Sequence, residues 1–198
     1  VVLYIFGFDF LSSTGTTNWL IYVSGFTILA ASIIAIRQDN LKRRLAYSTI
    51  SQLSYVVMAT SILAPLSIVG AALHIAVQAF GKITLFFAAG SIYTASHKTE
   101  ISQLDGIGRH MPWTMAAFTV GAISMIGVPP TAGFISKWYI LHGAFDSGHI
   151  MAVVVVILST LLNAGYFLPI IYAAFFKKGQ NIGDDNYGEA PIAIVIAL

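Results

Sequence analysis

The stretch Ile126-Gly-Val-Pro-Pro-Thr-Ala-Gly-Phe-Ile-Ser-Lys-Trp-Tyr-Ile-Leu141 decides the fold, because it breaks a long apolar span and places a charge beside the break. The span covers about residues 111–145 and is too long for one crossing of a bilayer core of roughly 30 Å. The proline pair cannot continue a helix, since its nitrogens donate no hydrogen bond, and the flanking glycines permit unusual backbone angles. The predicted hinge of this broken helix comprises Gly127, Pro129, Pro130 and Gly133.

Lys137 follows the predicted break, where a second helix restarts near Phe134. Irregular backbone at membrane depth persists only when it is buried in protein or faces water. Many transporters form an ion site from a broken helix and an intramembrane charge. The alternative is a kinked packing helix whose lysine extends to the membrane interface. We favour the ion site, because ionisable residues inside a membrane mark function by default.

The composition is that of an integral membrane protein. Hydrophobic residues make up 57% of the 198 residues and charged residues only 9%, against about 25% charged residues in soluble domains. We predict an all-α, polytopic membrane fold in one membrane domain, 1–198, with five complete transmembrane helices and partial helices at both ends. The complete helices cover about 19–36, 41–63, 66–96, the broken span 111–145, and 151–176. Because the chain begins and ends within apolar runs, we expect a fragment of a longer membrane protein.

The predicted helix 66–96 carries His74, Gln78 and Lys82 at i, i+4 and i+8, which places them above one another on one face. A single buried histidine is usually a hydrogen-bonded core residue. Three stacked polar side chains within a membrane are harder to explain by packing alone, and histidine exchanges a proton near neutral pH. The spacing therefore favours a proton relay.

The predicted helix 41–63 has one polar stripe. In lipid, such a stripe must face other helices or water. For most of its residues we favour ordinary interhelical hydrogen bonding over a role in transport. The stripe comprises Tyr47, Ser48, Ser51, Gln52 and Tyr55.

The positive charges predict the orientation in the membrane. Eight of the ten lysines and arginines fall in alternate loops, 37–44, 97–110 and 177–189, whereas the turns near 65 and 146–149 have none. The positive-inside rule places the three basic loops in the cytoplasm. We therefore expect a multi-pass protein of the cell (inner) membrane.

Several other chemistries have little support. The chain has no cysteine, which excludes disulfides, thiolate metal sites and cysteine nucleophiles. The segment Gly106-Ile-Gly108 is only part of a dinucleotide motif and follows no predicted strand. The five histidines are too scattered for a metal site, and no iron–sulfur or covalent haem motif is present. We expect no cofactor, no metal and no nucleic-acid partner.

Three separated segments carry a resemblance to a known family. They are Asp39-Asn-Leu-Lys-Arg-Arg-Leu-Ala-Tyr-Ser-Thr-Ile-Ser-Gln52, the run from His74 to Gly90, and Gly127-Val-Pro-Pro-Thr-Ala-Gly-Phe-Ile-Ser-Lys-Trp138. Together they resemble the proton-conducting antiporter family over about residues 36–176. That family includes membrane subunits of respiratory complex I, membrane-bound hydrogenases and Mrp-type cation/proton antiporters. The segments around the two intramembrane lysines are most similar to the D subunit of the Mrp type.

The resemblance implies two inverted five-helix repeats, of which 17–176 is the second. It implies that Lys82 and His74 lie on a central hydrated axis and that Lys137 leads toward an exit. Relatives often carry a second histidine where this chain has Gln78. A glutamine side chain donates and accepts hydrogen bonds but carries no charge, so we expect Gln78 to help order water. The glutamate–lysine pair of the first repeat is absent from this sequence.

We therefore predict proton translocation in exchange for sodium, within a multisubunit complex whose partners are other membrane subunits and the lipid bilayer. One alternative is a proton-pumping subunit of a redox complex related to NADH:quinone oxidoreductase or to membrane-bound hydrogenase. Another is a structural subunit that conducts nothing. The chain resembles a transporter subunit more than an enzyme.

Overall fold

The computed structural model describes residues 17–177, together with 5, 7, 10, 11, 15, 188–191, 194 and 195. Within these residues the chain is helical and forms no β-strand. Most of the two predicted partial helices at the ends, and most of the loop 177–189, lie outside the described residues. The helices are α1 (Asn18–Arg37), α2 (Leu41–Ser61), α3 (Pro65–Ser96), α4 (Pro112–Ile126), α5 (Ala132–Asp146) and α6 (Ile150–Phe176).

The helices have the length and surface of membrane-spanning segments. Among the described residues, α1, α3 and α6 are long and apolar enough to cross a membrane, and α4 is a shorter apolar helix. Large apolar side chains point outward, as at Phe26, Phe80 and Trp113, which are 73%, 76% and 71% exposed. An apolar outer surface is favourable in lipid and costly in water. The predicted all-α, polytopic membrane fold is confirmed.

Local sequence sets the helix ends close to their predicted positions. Pro65 and Pro112 stand at the start of α3 and α4, where a missing N–H costs nothing. The Asn40 side chain accepts a hydrogen bond from the backbone N–H of Arg43 at 3.1 Å and caps α2. Gly127 ends α4 with φ +87°, a left-handed conformation that favours glycine.

The predicted break separates α4 from α5 and contains a cis peptide bond between Pro129 and Pro130. Helix α5 begins at Ala132, two residues before the predicted restart. The start of α5 lies directly against the last turns of α4. A Cβ atom on Gly133 would lie 1.7 Å from the carbonyl oxygen of Ser124. Only glycine fits at this contact.

Helix α3 packs against α2, α4 and α5, whereas α6 packs against α1, α4 and α5. The contact between α3 and α5 is close, because a Cβ atom on Gly143 would lie 2.5 Å from the backbone nitrogen of Ser67. Small residues allow such approach between membrane helices. Polar side chains of α2, α3, α5 and α6 consequently meet in the interior of the bundle.

The connections 37–44 and 97–110 lie together at one end of the bundle. The Leu41 N–H donates to the Thr99 carbonyl at 2.9 Å, and the Ile101 N–H donates to the Asp39 carbonyl at 2.8 Å. At the same end, Lys177 lies 3.4 Å from Asp105. The beginnings of all three predicted basic loops therefore meet at one end.

Candidate ion-translocation site

Lys137 lies in the second turn of α5 and directs its side chain back to the end of α4. It is 5% exposed. Its ammonium group donates to the carbonyl oxygens of Met125 and Ile126, each at 2.9 Å. These carbonyls belong to the last turn of α4, where they have no amide partner within the helix and where the helix dipole concentrates negative charge. The broken helix thus forms a binding site for a positive charge.

Asn163 of α6 provides the third acceptor for Lys137. An ammonium group only donates, so the amide oxygen of Asn163 must face it. In this orientation the oxygen accepts from Lys137 Nζ at 3.0 Å and from Gln52 Nε2 at 2.9 Å. The amide nitrogen donates to the Tyr166 hydroxyl at 2.7 Å and to the Ser159 carbonyl at 3.1 Å. All three N–H groups of Lys137 therefore have an acceptor.

His74 of α3 is buried between α2 and α5. Its Nε2 atom lies 3.0 Å from Gln52 Oε1, and its Nδ1 atom lies 3.0 Å from the Ser136 hydroxyl oxygen. Ser136 also lies within 3.1 Å of the Gly133 carbonyl. Both ring nitrogens thus have polar partners, and one partner directly precedes Lys137 in the chain. Gln52 joins His74 to the acceptor of Lys137.

Lys82 of α3 is 7% exposed and points toward the first half of α2. Its ammonium group donates to the Leu45 carbonyl at 3.3 Å and to the Ser48 hydroxyl. It also lies 6.0 Å from the centre of the Phe167 ring, within the range of a cation–π interaction. Phe167 neighbours Tyr166, whose hydroxyl contacts the Asn163 amide at 2.7 Å.

Gln78 lies on the same face of α3, one turn from His74 and one turn from Lys82, and it is 6% exposed. Within the described part of the chain, its Oε1 atom is buried and has no hydrogen-bond partner. An unpaired buried oxygen is unfavourable, and a bound water molecule is the usual remedy. The role of Gln78 in ordering water stays a prediction.

The sequence singled out the charged residues of this site but only some of their partners. Gln52 and Ser48 belong to the polar stripe of α2, for which we expected interhelical hydrogen bonds. Asn163 is one of a few polar residues in the largely apolar helix α6. Ser136 and Tyr166 gave no signal. Other members of the stripe make the expected bonds: the Ser51 hydroxyl lies 2.9 Å from that of Ser32.

Across residues 17–177, neither buried lysine has a carboxylate within ion-pair distance. The ion pairs in that part of the chain lie near helix ends, at His142–Asp146 and Lys177–Asp105. Lys82 and Lys137 are held instead by carbonyl, hydroxyl and amide oxygens. A lysine held by neutral acceptors can release its proton without leaving an unpaired buried carboxylate.

Comparison with known proteins identifies the family. Residues 1–163 match the family described as NADH:quinone oxidoreductase/Mrp antiporter, transmembrane. The chain belongs to this family. Its members include antiporter-like subunits of multisubunit membrane complexes.

Subunit N of the NADH-quinone oxidoreductase of Desulforudis audaxviator is 41% identical over 162 residues, covering 82% of this chain and 32% of the relative. An archaeal membrane-bound sulfane sulfur reductase contains a chain with a TM-score of 0.84 and 28% identity, covering 91% of this chain and 30% of that one. The Mrp complex of Dietzia sp. DQ12-45-1b gives a TM-score of 0.79 at 23% identity, covering 88% and 34%. At 23% identity, this similarity shows only that the chain shares its fold with a chain of the Mrp complex. The chain spans about a third of the length of these proteins.

Proposed function

We propose that this chain translocates protons as part of a membrane subunit in a multisubunit complex. Lys137, Lys82 and His74 exchange the protons, and Gln78 orients water between them. The observation that carries the proposal is the position of Lys137: a buried ammonium group, bound by the open end of a broken helix and by Asn163, without a carboxylate partner within residues 17–177. Membership of an antiporter-like family supports it.

In the proposed mechanism, a positive charge on one group promotes release of the proton from the neighbouring group. Lys137 interacts electrostatically with both His74 and Lys82. Two like charges roughly 10 Å apart, at an effective dielectric constant of about 20, repel each other by about 1.7 kcal/mol. A difference of 1.4 kcal/mol changes an equilibrium constant tenfold. Proton arrival at one group therefore favours proton release from its neighbour.

The break between α4 and α5 positions Lys137 in this mechanism. The hinge ends α4 and starts α5 so that the last carbonyls of α4 face Lys137. It comprises Gly127, Pro129, Pro130 and Gly133. When Lys137 loses its proton, the α4 carbonyls lose a hydrogen-bond donor, and the hinge accommodates their reorganisation.

We further propose that residues 17–176 form the second of two five-helix repeats. We also propose that the loops 37–44, 97–110 and 177–189 lie on the cytoplasmic side of the cell (inner) membrane.

Two driving forces fit this site. The relative from Desulforudis audaxviator is a subunit of NADH-quinone oxidoreductase, which favours proton pumping coupled to electron transfer. The resemblance of the two lysine segments to the Mrp type favours proton exchange for sodium. The two are distinguished by what drives flux: a sodium gradient in one case, and an electron donor with a quinone or other acceptor in the other.

The test uses the full-length parent protein in its complex, in inverted membrane vesicles, with proton flux followed by a pH-sensitive dye. We expect Lys137→Ala and Lys82→Ala each to reduce flux at least tenfold while complex assembly, measured on native gels, is retained. Lys42→Ala is the matched control, because Lys42 is exposed at the start of α2 and should leave flux within about twofold.

Unchanged flux in both lysine variants, with assembly intact, would contradict the relay. The result would instead support the alternative of a structural subunit that conducts nothing. Flux that requires sodium would identify an antiporter. Flux that appears only with an electron donor would identify a redox-driven pump.

A further inference from the structure

The contacts around His74 determine which of its ring nitrogens carries the proton when the ring is neutral. The Lys137 ammonium group has donors only. The Asn163 atom that faces it at 3.0 Å must therefore be the amide oxygen. This step fixes the orientation of the Asn163 amide.

Gln52 is oriented by the same oxygen. Since Asn163 Oδ1 is an acceptor, the Gln52 atom that lies 2.9 Å from it must be the amide nitrogen. The other end of the Gln52 amide, Oε1, then faces His74 at 3.0 Å. Gln52 is fully buried, so both ends of its amide are shielded from bulk solvent.

An amide oxygen only accepts hydrogen bonds, so His74 Nε2 must carry a hydrogen. In the neutral ring, Nδ1 is then unprotonated and accepts from the Ser136 hydroxyl at 3.0 Å. When Nδ1 gains a proton, it donates to the Ser136 oxygen, and that hydroxyl turns to donate to the Gly133 carbonyl at 3.1 Å. Both protonation states are thus satisfied by rotation of one hydroxyl group.

We propose that Gln52 and Asn163 are positioning residues that hold neutral His74 in the Nε2–H tautomer, so that Nδ1, on the Ser136 side, is the atom that takes up and releases the transported proton. This inference rests on the proposed function for its transport role, whereas the tautomer follows from the contacts alone. The inference also links Lys137 to His74, because the charge on Lys137 orients the Asn163 and Gln52 amides that select the His74 tautomer.

The tautomer is measured directly in the full-length parent protein in its complex, reconstituted in liposomes and labelled with 15N at the δ1 position of histidine. Solid-state NMR separates protonated from unprotonated Nδ1, and the His74→Asn variant identifies the His74 signal. The spectra are recorded at a pH where titration shows the wild-type ring to be neutral. We expect the unprotonated Nδ1 signal in the wild type.

Three variants test the two amides. Gln52→Met keeps the side-chain length but removes the acceptor of Nε2–H, and Asn163→Leu removes the oxygen that orients Gln52. Both should convert the single His74 signal into a mixture that includes protonated Nδ1, and both should reduce flux about tenfold, as expected when one buried hydrogen bond is lost. Asn163→Asp keeps an acceptor toward Lys137 and Gln52 and should retain the wild-type His74 signal.

Ser54→Ala is the control on α2, because among residues 17–177 the Ser54 hydroxyl bonds only within its own helix, to the Ile50 carbonyl at 2.9 Å. It should change neither the His74 signal nor flux. An unprotonated Nδ1 signal retained in both Gln52→Met and Asn163→Leu would overturn the inference, as would protonated Nδ1 in the wild type. If the wild type shows the expected tautomer but no proton flux under any driving force, the proposed function fails and the assigned tautomer stands.

Discussion

Buried cations in this chain are held by neutral oxygens. Lys137 donates to two carbonyls and an amide, and Lys82 donates to a carbonyl and a hydroxyl. Removing a charge from water costs several kcal/mol, and hydrogen bonds to oxygen dipoles return part of that cost. The balance at each lysine consequently depends on a few contacts, and single-residue changes at those contacts should have large effects.

Gly133 is the position where we expect the smallest change to matter most. In Gly133→Ala the new methyl group would collide with the Ser124 carbonyl at 1.7 Å, which pushes α5 away from α4 and Lys137 away from its carbonyl acceptors. Proton flux in inverted vesicles should fall at least tenfold. Gly90→Ala is the matched control, because a Cβ atom there meets nothing within 4 Å, and flux should stay within twofold. Equal flux in the two variants would show that the helix contact does not position Lys137.

At the scale of helices, one buried arginine joins three of them. Arg44, in the first turn of α2, donates from Nε to the Gln38 carbonyl at 2.9 Å, from Nη2 to the Ile36 carbonyl at 3.1 Å and from Nη1 to the Tyr166 carbonyl at 3.1 Å. The first two carbonyls lie at the end of α1, where partner N–H groups are missing, and the third lies in α6. The guanidinium group therefore connects α1 and α2 to the helix that carries Asn163.

Arg44→Lys should destabilise this end of the bundle. A lysine keeps the charge but has a compact ammonium group and lacks the rigid fork that reaches three carbonyls. Hydrogen bonds to charged groups contribute about 1.5–3 kcal/mol each, so losing one or two should lower the temperature of thermal unfolding of the purified complex by several degrees. Arg37→Lys, at an exposed position, is the control and should unfold within about one degree of the wild type. An unchanged midpoint for Arg44→Lys would show that the three contacts do not stabilise the fold.

At the scale of the molecule, the two ends of the bundle differ. The three basic loops begin at the same end. Backbone hydrogen bonds connect loops 37–44 and 97–110, and the ion pair of Lys177 with Asp105 connects the third loop to them. The turn between α5 and α6 has no lysine or arginine. Basic loops are retained in the cytoplasm during membrane insertion. The distribution of charge predicts one orientation for the whole bundle.

Cysteine labelling tests this orientation, since the sequence has no cysteine of its own. Arg43 and Ser147 are exposed and are separated by α2, α3 and the broken helix. In the full-length parent protein, with any other cysteines replaced, a membrane-impermeant maleimide should label Ser147→Cys in intact cells. It should label Arg43→Cys only in inverted vesicles. The reverse pattern would invert the orientation, and labelling of both from one side would contradict three crossings between them.

The sequence by itself determined the helices and the location of the charges. Prolines and glycines predicted the break at Pro129–Pro130 and the helix starts to within a residue or two, because these residues act on the backbone wherever they stand. Helical spacing placed His74, Gln78 and Lys82 on one face of α3. Apolar composition predicted the membrane. Each of these properties depends on residues close in the chain.

Only the tertiary structure decided which groups meet. Periodicity shows which face of a helix is polar but not which atoms of another helix lie opposite, so the partners Gln52, Ser136 and Asn163, each from a different helix, did not follow from spacing. The polar residues predicted to lie along one face of α3 have their hydrogen-bond partners on other helices: His74 contacts α2 and α5, and Lys82 contacts α2. The orientation of an amide, and with it the tautomer of His74, depends on a chain of donors and acceptors that exists only after the helices have packed.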